Sequence, residues 1–177
     1  MTRPDLATSF VAEVDVIVED LRWAEAVDLG GLADRAVQSV LGHLRIDVPC
    51  ELSILGASDD RIAALNSEFR DKPQPTNVLS WPAEDLSPEQ PGGAPARPLP
   101  DPTGEAVFLG DIALAYETCD REAQIAEKPL KDHILHLIVH GILHLLGYDH
   151  VEDRDADLME RHEVAILAQL GVASPYA

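Results

Sequence analysis

From Leu130 to Leu146 the chain is apolar almost all round, the pattern of a helix buried on every side, so any fold it adopts is built around that helix. Yet His136, His140 and His144 recur every fourth residue within it, which stacks three imidazoles on one side, turn above turn. Pro129 suits the entrance to such a helix and Gly147 a left-handed exit. Beyond Gly147 the chain turns through Tyr148 and Asp149, bringing His150 back towards the helix side it has just left.

Two imidazoles one turn apart and a third after a glycine turn suit a catalytic zinc site. Such a site has three neutral nitrogens at about 2.0–2.1 Å and an open fourth position where water ionises near neutral pH. A set of hydrogen-bonded core histidines is the plainer alternative. Spacing and turn chemistry together favour a metal held by His140, His144 and His150. His136 competes for a ligand place, but a linear stripe spreads its nitrogens along the axis, whereas the Gly147 turn lets them converge. His136 is left facing substrate, supporting a ligand, or in the core. His43, His133 and His162 take structural readings.

Around the central helix the remaining patterns are those of a mixed fold. Phe10 to Val18, Leu52 to Leu55, Val78 to Trp81 and Val107 to Ala115 have strand character. Leu32 to Leu44, a helix capped near Ser58 and running to Phe69, Tyr116 to Ala126, and a last segment from Leu158 to Leu170 have helical spacing. The strands and helices lack the regular alternation of a doubly wound fold. The expected class is α/β in the α+β sense, a small mixed β-sheet with helices packed on it. One domain spanning 1–177 is expected, interrupted at about 83–105 by a flexible insertion with six prolines between Pro88 and Pro102. A tolerated loop is the first reading of that insertion and a lid the second.

Charge and cysteine usage narrow the function. The formal charge of -19, from 32 acids and 13 bases, argues against a DNA-coating or membrane-surface protein, which need a basic footprint. Only two stretches escape the acidity: residues 61–81 hold three bases and two acids, and 121–148 hold three of each. These carry the motifs, which predicts an acidic shell around a neutral cleft and weak general affinity for nucleic acid. Cys50 and Cys119 make no spacing motif, and no secretory leader is recognisable, so a cytoplasmic location is expected. The apolar run from Ile134 to Leu146 is too short to span a membrane.

The trio and Gly147 share the spacing of the metzincin peptidases, H-E-x-x-H-x-x-G-x-x-H, but Gly141 stands where their catalytic Glu stands. The scaffold is therefore present without the peptidase base. Gly141 in mid-helix costs about 1 kcal/mol against Ala, which signals either needed space beside the metal or a close packing contact. Upstream, Arg70 and Lys72 suit phosphate, with Thr76, Asn77 and Ser80 as neutral hydrogen-bonding groups. Alone, that stretch is an ordinary polar loop leading into a strand.

Together, Pro75-Thr-Asn-Val-Leu-Ser80, Leu109-Gly-Asp-Ile112 and His136-Leu-Ile-Val-His-Gly-Ile-Leu-His-Leu-Leu-Gly-Tyr-Asp-His150 resemble the YbeY family of bacterial rRNA maturation endoribonucleases. The resemblance runs from Ile62 to Leu170. It departs at Trp81, where Phe is usual, and at Gln74, where a basic residue is common. It implies a zincin-like fold, one Zn2+ per chain on His140, His144 and His150, and cleavage of single-stranded RNA. It further implies action in small-subunit rRNA 3′-end maturation and ribosome quality control, with precursor rRNA, the ribosome and its small-subunit proteins as partners.

On that basis Arg70 and His140 are the expected catalytic residues, with Arg70 stabilising transition-state charge. Arg70, Lys72, Thr76, Asn77 and Ser80 are the expected substrate contacts; His136 and Asp111 are candidates for supporting the site, Asp111 reading first as a polar residue at a strand end. Attack by hydroxide and attack by the RNA's own 2′-hydroxyl both remain open. A zinc peptidase or ester hydrolase is one competing function. The other is a non-catalytic ribosome-assembly factor with a structural zinc.

Overall fold

A computed structural model describes residues 12–70 and 76–176, without the side chains of Phe69 and Arg70. Lys72 and Gln74, and the Phe10 end of the first expected strand, lie outside the described residues. The elements run β1 (Ala12–Val18), α1 (Arg22–Ala26), α2 (Leu29–His43), β2 (Cys50–Ala57), α3 (Asp59–Arg70), β3 (Val78–Pro82) and β4 (Val107–Ala115). Three helices complete the chain: α4 (Tyr116–Ile125), α5 (Leu130–Leu145) and α6 (Asp153–Gln169). Among the described residues no helix is long and apolar enough to cross a membrane.

The four strands form one mixed sheet in the order β1-β2-β4-β3, in which β1, β2 and β4 are parallel and β3 runs antiparallel along the β4 edge. Alternation along β4 sorts the two faces. Ile112 and Leu114 join the main core with α2, α5 and α6, while Ala113 and Ala115 join a smaller cluster with Ile62 of α3. α5 is the pillar of the main core, as its apolar circumference demands. Ile134, Ile138, Ile142 and Leu143 are fully buried, each worth about 1.5–3 kcal/mol relative to exposure.

Gly141 is explained by this packing. A Cβ there would lie 3.0 Å from Ile112 Cδ1 and 3.2 Å from Ser80 Oγ, so the missing side chain lets α5 settle close against β3 and β4. Of the two readings offered for Gly141, this contact is the one observed.

Helix ends are closed by specific chemistry. Ser58 Oγ accepts from the Arg61 amide at 3.2 Å, capping α3 as its position suggested. Asp59 then accepts from the Thr118 amide and hydroxyl at the start of α4, while Glu117 accepts from the Asp59 amide, so each helix caps the other. At the far end of α5 the Tyr148 amide donates to the Leu143 carbonyl and the Gly147 amide to His144, a Schellman motif with Gly147 at φ +99°.

Residues 83–106 contain neither helix nor strand. The segment is nonetheless attached to the body at several places. Arg97 donates to the carbonyls of Leu44 and Arg45 behind α2, the Gly92 amide donates to Asp155 of α6, and Leu86 is largely buried beside Gly147.

Candidate metal centre and cleft

α5 and the turn after it bring His140, His144 and His150 together. Their ring centroids are 4.6 Å apart for His140 and His144, 5.3 Å for His140 and His150, and 5.1 Å for His144 and His150. One ligand atom from each lies within 4.8 Å of the others. The convergence expected from the Gly147 turn is therefore present.

The hydrogen bonds fix the tautomers. His144 Nδ1 lies 3.0 Å from the Tyr148 carbonyl, which only accepts, so Nδ1 carries the proton. His140 Nδ1 lies 2.5 Å from Glu163 Oε1, again an acceptor when ionised. With both rings neutral, as metal ligands are, each presents a bare Nε2 lone pair, and these face each other across 3.0 Å. Two lone pairs at that distance repel unless a proton or a metal ion sits between them. Tetrahedral zinc with bonds of about 2.0–2.1 Å separates its ligand nitrogens by about 3.3 Å, close to what is observed. The donor set thus fits a metal ion by its own chemistry.

Burial first, and then the neighbouring His140 and His150 charges, push His144 down to about 4, so it is neutral and ready to ligate at physiological pH. Glu163 is fully buried. Burial alone would raise its carboxyl, but hydrogen bonds from His136, His140 and Tyr176 outweigh this and hold it at about 2. His136 Nε2 is 3.1 Å from Glu163 Oε2, so His136 and His140 meet the same carboxylate.

Glu163 and Tyr176 went unnoticed in the sequence, although a signal existed. Met159, Glu163, Ile166 and Leu167 share the buried stripe of α6, and a carboxylate on such a stripe needs partners.

A cleft of about 890 Å³ opens beside the trio, lined by His140, His144 and His150 on one side and by Thr76, Asn77 and Ser80 on another. Ser80 is nearly buried, and Asn77 accepts from the Val78 amide and donates to Glu122, so both are held in place. Glu84, Asp85 and Asp149 also line the cleft. Among the described lining residues the carboxylates are therefore the charged groups, brought there in part by the loop after β3 folding against the site.

Asp111 does not join the histidines. It alternates with Ile112, which packs towards α5, so it points to the other face, where Ser53 Oγ donates to it. Arg70 ends α3, and its side chain lies outside the description, as does Lys72. His43 and His162 pair at 3.0 Å away from the cleft, and His133 sits 3.6 Å from Glu122.

The family description "Endoribonuclease YbeY" matches residues 19–171. A protein of that name from Ruegeria pomeroyi is 58% identical over 164 residues, covering 92% of this chain and 97% of its own. Its namesake in Dinoroseobacter shibae is 57% identical over 169 residues, covering 93% and 91%, and that of Jannaschia sp. is 56% identical over 165 residues, covering 93% and 99%. The solution structure of a Thermotoga maritima protein superposes with a TM-score of 0.54 at 17% identity, covering 89% of this chain and 91% of that one, a likeness of fold. With the histidine trio inside the matched span and relatives more than half identical along nearly their whole length, the chain belongs to the endoribonuclease YbeY family.

Proposed function

We propose that this chain is a single-domain, zinc-dependent endoribonuclease of the cytoplasm. It cuts single-stranded RNA during maturation of the small-subunit rRNA 3′ end and in ribosome quality control, and it engages its substrate on the ribosome. The observation that carries the metal reading is the approach of His140 Nε2 and His144 Nε2 to 3.0 Å, each ring held by an acceptor on its Nδ1, with His150 converging on them. His140, His144 and His150 hold the ion. Bound there, zinc supplies Lewis-acid stabilisation for charge that develops during phosphodiester cleavage.

The remaining roles belong to the chain itself. Thr76, Asn77 and Ser80 line the cleft and orient the RNA backbone by neutral hydrogen bonds. Arg70, aided by Lys72, meets the phosphate and stabilises its charge in the transition state. Glu84, Asp85 and Asp149 repel polyanion at the rim, which favours a substrate delivered by the ribosome over free RNA. Family membership supports the RNA reading over a peptidase, as does Gly141 in place of a general base. An open cleft beside the trio supports a catalytic ion over a structural one.

Bound zinc and cleavage of single-stranded RNA, measured on wild type, His144→Ala and Arg70→Ala, test the reading. His144→Ala should lose both, and Arg70→Ala should keep zinc and lose cleavage. Full cleavage by either variant overturns the assignment.

A further inference from the structure

We infer that Glu163, backed by Tyr176, is a positioning residue for the metal centre: it holds His140 in the tautomer whose Nε2 is free to ligate, and so sets the affinity of the site for its ion. The inference rests on the metal reading proposed above and extends it to residues outside the ligand motif.

A fully buried carboxylate is costly unless several donors meet it, and here three do. His140 Nδ1 approaches Oε1 at 2.5 Å, while His136 Nε2 and the Tyr176 hydroxyl approach Oε2 at 3.1 and 2.5 Å. Tyr176 reaches Glu163 from the chain beyond α6, and its ring also stands edge-on to His136 with centroids 6.1 Å apart. The carboxylate is thereby clamped on both oxygens, and the oxygen facing His140 has one direction in which to accept. An aliphatic residue at this place on α6 would pack the core at lower cost and leave His140 Nδ1 without an acceptor. His140 would then be free to take the tautomer with its proton on Nε2, which cannot ligate.

His136, His140 and Glu163 also lie close enough together to hold an ion of their own. That arrangement would displace the proton shared by His140 and Glu163 and would make His140 bridge two ions. The Tyr176 hydroxyl on Oε2 favours the hydrogen-bonded state instead.

The test is zinc affinity, measured by competition with a chromophoric chelator, together with the visible spectrum of cobalt-loaded protein and the melting of the metal-free form. Glu163→Gln keeps the shape but removes the charge and leaves one acceptor oxygen for three donors, and should weaken zinc binding about 10–100-fold with an altered cobalt spectrum. Glu163→Asp keeps an acceptor and should recover part of that loss. Tyr176→Phe should weaken zinc in the same direction by a smaller factor while its metal-free melting stays near wild type.

Should Glu163→Gln fail to fold, Tyr176→Phe decides. Wild-type zinc affinity with an unchanged cobalt spectrum in the folded variants overturns the inference. So does a second equivalent of bound zinc that His136→Ala removes, because the cluster would then be a metal site itself. If wild type binds no zinc, the functional reading fails and takes this inference with it. If wild type binds zinc and Glu163→Gln binds it equally, only this inference fails.

Discussion

Gly147 joins the histidine cluster to the proline-rich segment, and Gly147→Ala measures how tightly. Two costs combine. At φ +99° a side chain is strained by about 1–2 kcal/mol. The new Cβ would also lie 2.5 Å from the Leu86 carbonyl oxygen and 2.9 Å from Pro95 Cβ, so backbone must move, at about 1–3 kcal/mol by the usual cost of overpacking. The sum is about 2–5 kcal/mol, which for a chain of this size lowers Tm by roughly 4–20 °C.

Gly171→Ala is the internal control. It follows α6 in the same kind of Schellman turn, at φ +76°, and a Cβ there meets nothing within 4 Å. It should therefore cost the strain alone, about 1–2 kcal/mol. Thermal melts of both variants in excess chelator isolate the contact from any metal effect. If the two variants melt within about 2 °C of each other, Leu86 and Pro95 are not packed rigidly against the turn, and the contact cost is refuted.

Two further outcomes are expected. Arg97→Ala removes the donors to Leu44 and Arg45, and should cost about 1 kcal/mol at this exposed site while speeding limited proteolysis within 83–106; an unchanged cleavage rate would mean the contact does not restrain the segment. His133 and His162 are both held below the ordinary histidine value of 6.5, chiefly by burial; Glu122 opposes the shift at His133 and the His43 charge adds to it at His162. The unfolded chain therefore takes up protons that the native state resists, and stability falls as pH drops below about 6.5. Denaturant midpoints at pH 8 and pH 5 in chelator measure this, and a midpoint that rises on acidification contradicts it.

Much of the fold was legible because each segment reported its own partner. β4 is bounded as read, Val107 to Ala115, since its branched and small residues stop at the polar run of α4. α5 is all but as read, because few arrangements other than a central helix bury Ile134 to Leu146. α1 was missed, being five residues with one buried side chain, Trp23, too short to show a period. The strand order was not legible either, because pairing depends on which edges meet, and nothing local in Val78 to Pro82 says that it runs against β4.

The site divides along the same line. The convergence of the histidine trio could be read because spacing on one helix and one glycine turn is local information. Glu163 reaches His140 across 23 positions, and Tyr176 reaches Glu163 through a tail whose path the sequence does not encode by any period. Asp111 kept two readings in the sequence, supporting acid or strand-end polar residue, because strand alternation, which puts it opposite Ile112, only becomes decisive once the face occupied by α5 is known.

Because His140, His144 and His150 lie within eleven consecutive residues, the unfolded chain keeps them close at little loop-closure cost. On the metal reading proposed above, an ion taken up by the native trio is also offered a site by the denatured ensemble, and it stabilises the fold only by the difference between the two affinities. That difference comes from what unfolding destroys: the Tyr148 carbonyl on His144 and the distant Glu163 on His140. In this architecture the capacity to bind metal is a property of a short peptide, and the coupling of metal to folding is a property of the residues that surround it.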